Sequence, residues 1–126
     1  MRYLIDTDVI IDHEKGVKDA YAFFQEINRP GNQLFISVIT MMELYAGLSP
    51  DTRRQTESLL EQFEIIIVDL LVAKIASDYL FKYQRAKGIG LADAAIAATA
   101  QLLDAKLVTR NKKHFPMTDI EVVVPF

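Results

Sequence analysis

The chain has no cysteine, two histidines, five glycines and four prolines in 126 residues. Without cysteine there is no disulfide, no thiolate zinc site and no cysteine nucleophile. Two histidines cannot build a histidine-rich metal site alone. No apolar run approaches membrane-spanning length, and there is no internal repeat, low-complexity tract or Pro/Gly/Ser-rich linker. Arg2 and Asp6 interrupt the first apolar run, which therefore does not read as a signal peptide. A cytoplasmic location is the expectation. A surplus of positive charge is missing too. The formal net charge is −3, so any hold on nucleic acid would need local basic patches.

What is present is 51% hydrophobic residues, enough for a sizeable core in one domain over 1–126. Residues 2–5 read as a short buried strand, with Asp6 at its carboxyl end. In open α/β sheets that end borders the ligand crevice. Asp6 or Thr7 could equally cap the helix over 7–13, which stops near Gly16. Val17, Ala20, Tyr21, Phe24 and Ile27 recur at helical spacing over 17–28. A strand over 34–37 ends at Ser37, which caps a helix over 38–47 closed by Gly47. Glu43 lies in that helix's first two turns, near the edge that Asp6 occupies. It also fits a capping box with Thr40.

A helix over 51–63 precedes a buried strand over 64–68 that ends at Asp69. A long helix over 70–87 ends with Lys82, Arg85 and Lys87, cations that suit a helix C-terminus. The alanine-dense segment 91–104 is a helix with Asp93 in its first turn, where a carboxylate also favours the helix dipole. A very short link joins it to the strand over 106–109, so it must run antiparallel to that strand and return Asp93 to the strand's carboxyl end. Arg110, Asn111, Lys112, Lys113 and His114 follow, and 121–124 is a last strand. The alternation predicts a three-layer α/β domain, a mostly parallel central sheet flanked by helices.

Asp6, Glu43, Asp93 and Asn111 thus converge on one crevice from distant segments. Packed carboxylates repel unless a cation sits among them. Oxygen ligands without His or Cys suit Mg²⁺, with Mn²⁺ as the alternative. Such a site orients and acidifies a water and neutralises charge on a phosphodiester.

The segments Leu4-Ile-Asp6-Thr-Asp8, Thr40-Met-Met-Glu43-Leu-Tyr-Ala-Gly47, Leu91-Ala-Asp93-Ala-Ala-Ile-Ala and Val108-Thr-Arg-Asn111-Lys-Lys-His114-Phe together resemble a PIN-domain ribonuclease. More narrowly they resemble a VapC-type toxin of a toxin–antitoxin pair, in order and spacing over nearly the whole chain. The resemblance implies a PIN-like fold and a Mg²⁺-dependent endoribonuclease acting on structured RNA through a metal-activated water. Asp6 and Asp93 would be the principal ligands, and Glu43 or Asp93 would help deprotonate or orient the water. Asn111 and His114 stand where the family usually offers a fourth Asp, which favours one metal ion or a second recruited with RNA. Thr7 and Thr109, with Asp8 beside them, would support the ligands. Lys82, Arg85 and Lys87, with Arg110, Lys112 and Lys113, would hold RNA phosphates or else form ordinary solvated surface. His114 reads as a loop hydrogen-bonder rather than a catalytic acid.

The family also implies a VapB-type antitoxin, homodimerisation, and a groove from 17–28 and 38–48 for a partner helix. Three other readings compete. A phospho-accepting receiver domain would use Asp69 and Thr109. A phosphoaspartate phosphohydrolase would use Asp6 and Asp8, but the chain is short for its cap and lacks its later acidic pair. A PIN-like module could bind RNA or protein without cleaving.

Overall fold

A computed structural model describes all residues, 1–126. Five parallel strands form one sheet: β1 (Arg2–Ile5), β2 (Gln33–Ser37), β3 (Glu64–Ile66), β4 (Lys106–Val108) and β5 (Val122–Val123). Their spatial order is β3-β2-β1-β4-β5. The chain builds outward from β1 in one direction, then resumes on β1's other side with β4. The topological switch point therefore lies between β1 and β4, where open sheets of this kind place their ligands.

Six helices cover both faces: α1 (Thr7–Glu14), α2 (Lys18–Ile27), α3 (Val38–Ala46), α4 (Pro50–Leu60), α5 (Leu70–Lys87) and α6 (Leu91–Leu103). The pleat assigns the strand residues alternately to two cores. Leu4, Phe35 and Leu107 pack with Val72, Ala76 and Tyr79 of α5 and the alanine face of α6. Ile5, Ile36 and Val108 pack against Val9, Ile10, Phe24, Leu44 and Leu60 of α1 to α4. All seven residues from Ala94 to Ala100 are buried. Alanine's small side chain lets α6 lie close to the sheet and to α5.

Register decides what meets at the sheet's rim. Leu4 pairs with Phe35, and Ile5 with Val108. One residue on, Asp6 and Thr109 stand level, as do Asp6 and Ser37 two residues beyond their pair. The Asp6 amide donates to the Val108 carbonyl at 2.9 Å. Asp104 adopts a left-handed conformation (φ 50°) and ends α6 within two residues of β4. The helix therefore reverses direction and delivers Asp93 to the carboxyl rim.

Three particulars differ from the sequence-based expectation. The strand over 64–68 shortens to three residues at the sheet's edge, and Ile65, Ile67 and Val68 are exposed rather than buried. An edge strand has one neighbour, and its composition does not tell it from a central one. The C-terminal strand likewise contracts from 121–124 to Val122–Val123. The capping box at Thr40 and Glu43 does not form. Ser37 caps α3 by accepting from the Ile39 amide at 3.0 Å, leaving Thr40 and Glu43 inside the helix.

Candidate metal and nuclease site

One carboxylate reaches the carboxyl rim from each of the three layers. Asp6 ends the central strand, Glu43 comes from α3 on one face, and Asp93 from α6 on the other. Asp6 is 8% exposed. It caps α1, with Oδ1 accepting from the Thr7 amide at 2.8 Å, and Oδ2 accepts from the Thr109 hydroxyl at 2.8 Å. The Thr7 hydroxyl donates to Glu43 Oε1 at 2.7 Å and lies 3.2 Å from the buried Thr40 hydroxyl. Glu43 is otherwise exposed, so Thr7 fixes one of its oxygens and leaves the other open to solvent.

Asp8 sits one turn-step along α1. Its Oδ2 accepts from the Arg110 amide at 3.0 Å and from the Asn111 side-chain amide at 3.1 Å. Its Oδ1 is buried with no hydrogen-bond partner. Asn111 is thus held by Asp8, and its own amide donates to Thr109 Oγ1 at 3.1 Å. His114 follows in a short 3₁₀ turn, Lys112–His114, with Nδ1 3.9 Å from Asp93 Oδ2.

Burial dominates the electrostatics of these carboxylates, and like charge adds to it. Burial pushes Asp6 up to about 6, Asp8 and Asp93 add repulsion, and the bonds from Thr109 and Thr7 work against the rise. Asp93 is raised by burial and by repulsion from Glu43 and Asp8, against attraction from His114. Asp8 is raised chiefly by burial, with the Arg110 amide and charge opposing. Carboxylates held in this condition favour a bound cation or a shared proton.

No group of three acidic or imidazole side chains closes a coordination sphere by itself. The donor set is all oxygen, and one buried oxygen, Asp8 Oδ1, lacks a donor. Both features fit a hard divalent ion that keeps several waters and takes one or two carboxylates.

The basic residues divide. Lys82, Arg85, Lys87, Lys112 and Lys113 are exposed. Arg110 is not a free cation: its guanidinium pairs with Asp12, Nε to Oδ2 at 2.5 Å. Asp12 is 8% exposed and was not singled out among the charged residues of α1. The available signal was its spacing, four residues after Asp8 and so on the same helical face.

A largely apolar cleft of about 440 Å³ opens beside Glu43, lined by Ile11, Glu14, Lys15, Leu44, Gly47 and Leu48. It lies between α1, α3 and the start of α4. The stripe over 17–28 contributes Ala20, Phe24 and Ile27 to the core instead of to this cleft. Asp69, the receiver-like acceptor, follows the edge strand and caps α5, accepting from the Val72 amide at 3.0 Å.

The sequence matches the PIN domain family over residues 3–120. The chain belongs to that family. It is similar to ribonuclease VapC10 of Mycobacterium tuberculosis, 38% identical over 115 residues that span 90% of this chain and 86% of that protein. Ribonuclease VapC1 of Methanocaldococcus jannaschii is 31% identical over 116 residues, covering 90% of this chain and 79% of that one. Among solved structures, a toxin–antitoxin complex from Klebsiella pneumoniae superposes with TM-score 0.82 at 32% identity, covering 98% of both chains. FitAcB from Neisseria gonorrhoeae gives 0.80 at 27% identity, covering 98% of this chain and 97% of its own. The five-stranded parallel sheet with six helices is the PIN-like α/β fold of these VapC-type proteins. Within it the acidic residues of this chain occupy the rim at the switch point.

The Asp6 shift has a sign that can be measured. Its acid is favoured in the folded state between the ordinary value of 3.8 and about 6. Below that window its contribution is fully present, and it is lost as pH rises through about 6. In EDTA, Asp6→Asn is expected to gain on the wild type by up to about 2 kcal/mol between about pH 4 and pH 7. Added Mg²⁺ should narrow the gap at the higher pH. Thermal or urea melts across the range check this; a difference independent of pH contradicts it.

Proposed function

We propose that this PIN-domain protein is the Mg²⁺-dependent endoribonuclease toxin of a VapBC-type toxin–antitoxin pair, hydrolysing phosphodiester bonds of structured RNA. The observation that carries the reading is the buried Asp6 carboxyl, pushed up to about 6, with Asp8 and Asp93 near enough to repel it and Glu43 tied to the adjacent Thr7. Membership of the family supports the nuclease class.

Asp6 and Asp93 are the residues that would hold the cation, with Glu43 at its margin. Bound there, Mg²⁺ or Mn²⁺ would supply a Lewis acid that acidifies water and neutralises phosphodiester charge. The chain's own groups do the rest. Thr7 and Thr109 orient Glu43 and Asp6 through their hydroxyls. Glu43, with one oxygen free, accepts the proton of the attacking water. Asp8 keeps Asn111 turned toward the crevice. Lys112 and Lys113 on the rim, with Lys82, Arg85 and Lys87 on the α5 end, draw RNA phosphates toward a chain whose net charge is otherwise repulsive.

The apolar cleft beside Glu43 is the docking place proposed for the antitoxin, an amphipathic helix that would lie along Leu44 and Leu48 and screen Glu43. The similar structure from Klebsiella pneumoniae is a toxin–antitoxin complex, which supports an antitoxin as the partner. A homodimer belongs to the same reading, with the exposed run Ile65, Ile67, Val68, Leu70 and Leu71 as its face.

Purified protein should cleave RNA with Mg²⁺ and not with EDTA. Asp93→Asn should lose at least about 100-fold in rate while keeping its melting temperature, and Asp69→Asn should cleave at the wild-type rate. Undiminished cleavage by Asp93→Asn, or a large loss in Asp69→Asn, contradicts the reading. Light scattering should give a dimer mass for the wild type and a monomer for Ile67→Asp; a monomeric wild type contradicts the proposed face.

A further inference from the structure

Two carboxylates on one face of α1 grip the segment that follows β4. Asp8 takes its backbone and Asn111, through the Arg110 amide at 3.0 Å and the Asn111 side-chain amide at 3.1 Å. One turn later, Asp12 takes the Arg110 side chain. The guanidinium meets it on two sides, Nε to Oδ2 at 2.5 Å and Nη2 donating to Oδ1 at 3.3 Å. The pair is lopsided in exposure. The Asp12 side chain is 12% exposed and that of Arg110 is 45% exposed.

That asymmetry separates the pair from an ordinary surface bridge, which contributes little. Asp12 Oδ2 is buried and faces no donor other than the Arg110 guanidinium, so the Arg110 charge is its compensation. Removing the partner of a buried charge leaves it uncompensated, and that is costly. The planar fork of Arg suits the two-sided contact, and a Lys would reproduce only its charge.

We propose that Asp12 and Arg110 are positioning residues: their pairing locks the segment after β4 onto α1 and so holds Asp8 and Asn111 in the crevice. This rests on the nuclease reading for its catalytic consequence, but not for its structural one. The lock acts through the chain. With Arg110 anchored, its amide stays on Asp8, Asn111 stays beside it, and Asp8 Oδ1 stays turned inward without a partner. Supporting residues of this kind typically change metal affinity or activity 10–100-fold, about ten-fold at the low end.

The test uses Asp12→Asn, Arg110→Gln, the double variant and Arg110→Lys in the full chain. Three quantities are read: Mn²⁺ affinity without RNA, amide hydrogen exchange at Arg110 and Asn111, and cleavage split into kcat and KM. The lock predicts that each single variant weakens Mn²⁺ about ten-fold, speeds exchange at both amides, and lowers kcat with KM nearly unchanged. The double variant should be no worse than the worse single, and Arg110→Lys should recover only part. A phosphate-gripping Arg110 predicts the reverse: KM rises in Arg110→Gln, its salt dependence flattens, and Asp12→Asn has no effect. That outcome overturns the proposal, as do unchanged Mn²⁺ affinity and exchange in both singles. If the wild type cleaves no RNA, the nuclease reading fails, while the exchange and Mn²⁺ readings still decide the lock.

Discussion

A carboxylate buried at the end of the central strand governs this molecule. Asp6 is nearly enclosed, it caps α1, and burial, with repulsion from Asp8 and Asp93 added, pushes its carboxyl up to about 6. An isolated core would not place a charge there, because desolvating it is expensive. Two donors, the Thr7 amide and the Thr109 hydroxyl, offset part of the cost without removing it. What remains is a standing preference for a proton or a cation. The supporting residues follow from that constraint: Thr109 is level with Asp6 by register, and Thr7 reaches from α1 to α3 to hold Glu43.

Much of this is legible in the sequence, and for a stated reason. Strand ends, helix starts and the short link from 104 to 106 are local features, and together they determine that Asp6, Glu43 and Asp93 share a rim. The alanine run of α6 also reveals itself, because so many small residues have few other uses. Strand order is different. Nothing local to Glu64–Ile66 says that β3 is an edge, so its exposed Ile65 and Ile67 were invisible to composition. Charge pairing is equally non-local. Arg110 reads as one member of a basic cluster until Asp12, 98 residues away in the chain, is seen against it. Ser37 over Thr40 as the cap of α3 is a subtler case, in which two good local signals compete and the strand's end decides.

The segment after β4 ties these threads together. Asn111 and His114 bring no carboxylate to the crevice on that side. Asp8 partly substitutes, with a buried oxygen that no donor reaches. His114 stands near Asp93 and lowers its acid's titration relative to burial alone. On the metal-site reading proposed above, the anchoring of residues 109–111 holds the one uncharged donor, Asn111, in place beside Asp8.

The central claim is that the crevice between β1 and β4 holds a divalent ion on Asp6. Crystals soaked in Mn²⁺ and measured at its absorption edge test it most directly. An anomalous peak within about 2.2 Å of an Asp6 oxygen, with an Asp93 oxygen in the same shell, is the predicted result. Saturating Mn²⁺ with no peak in that crevice, or a peak whose ligands leave out Asp6, would contradict it.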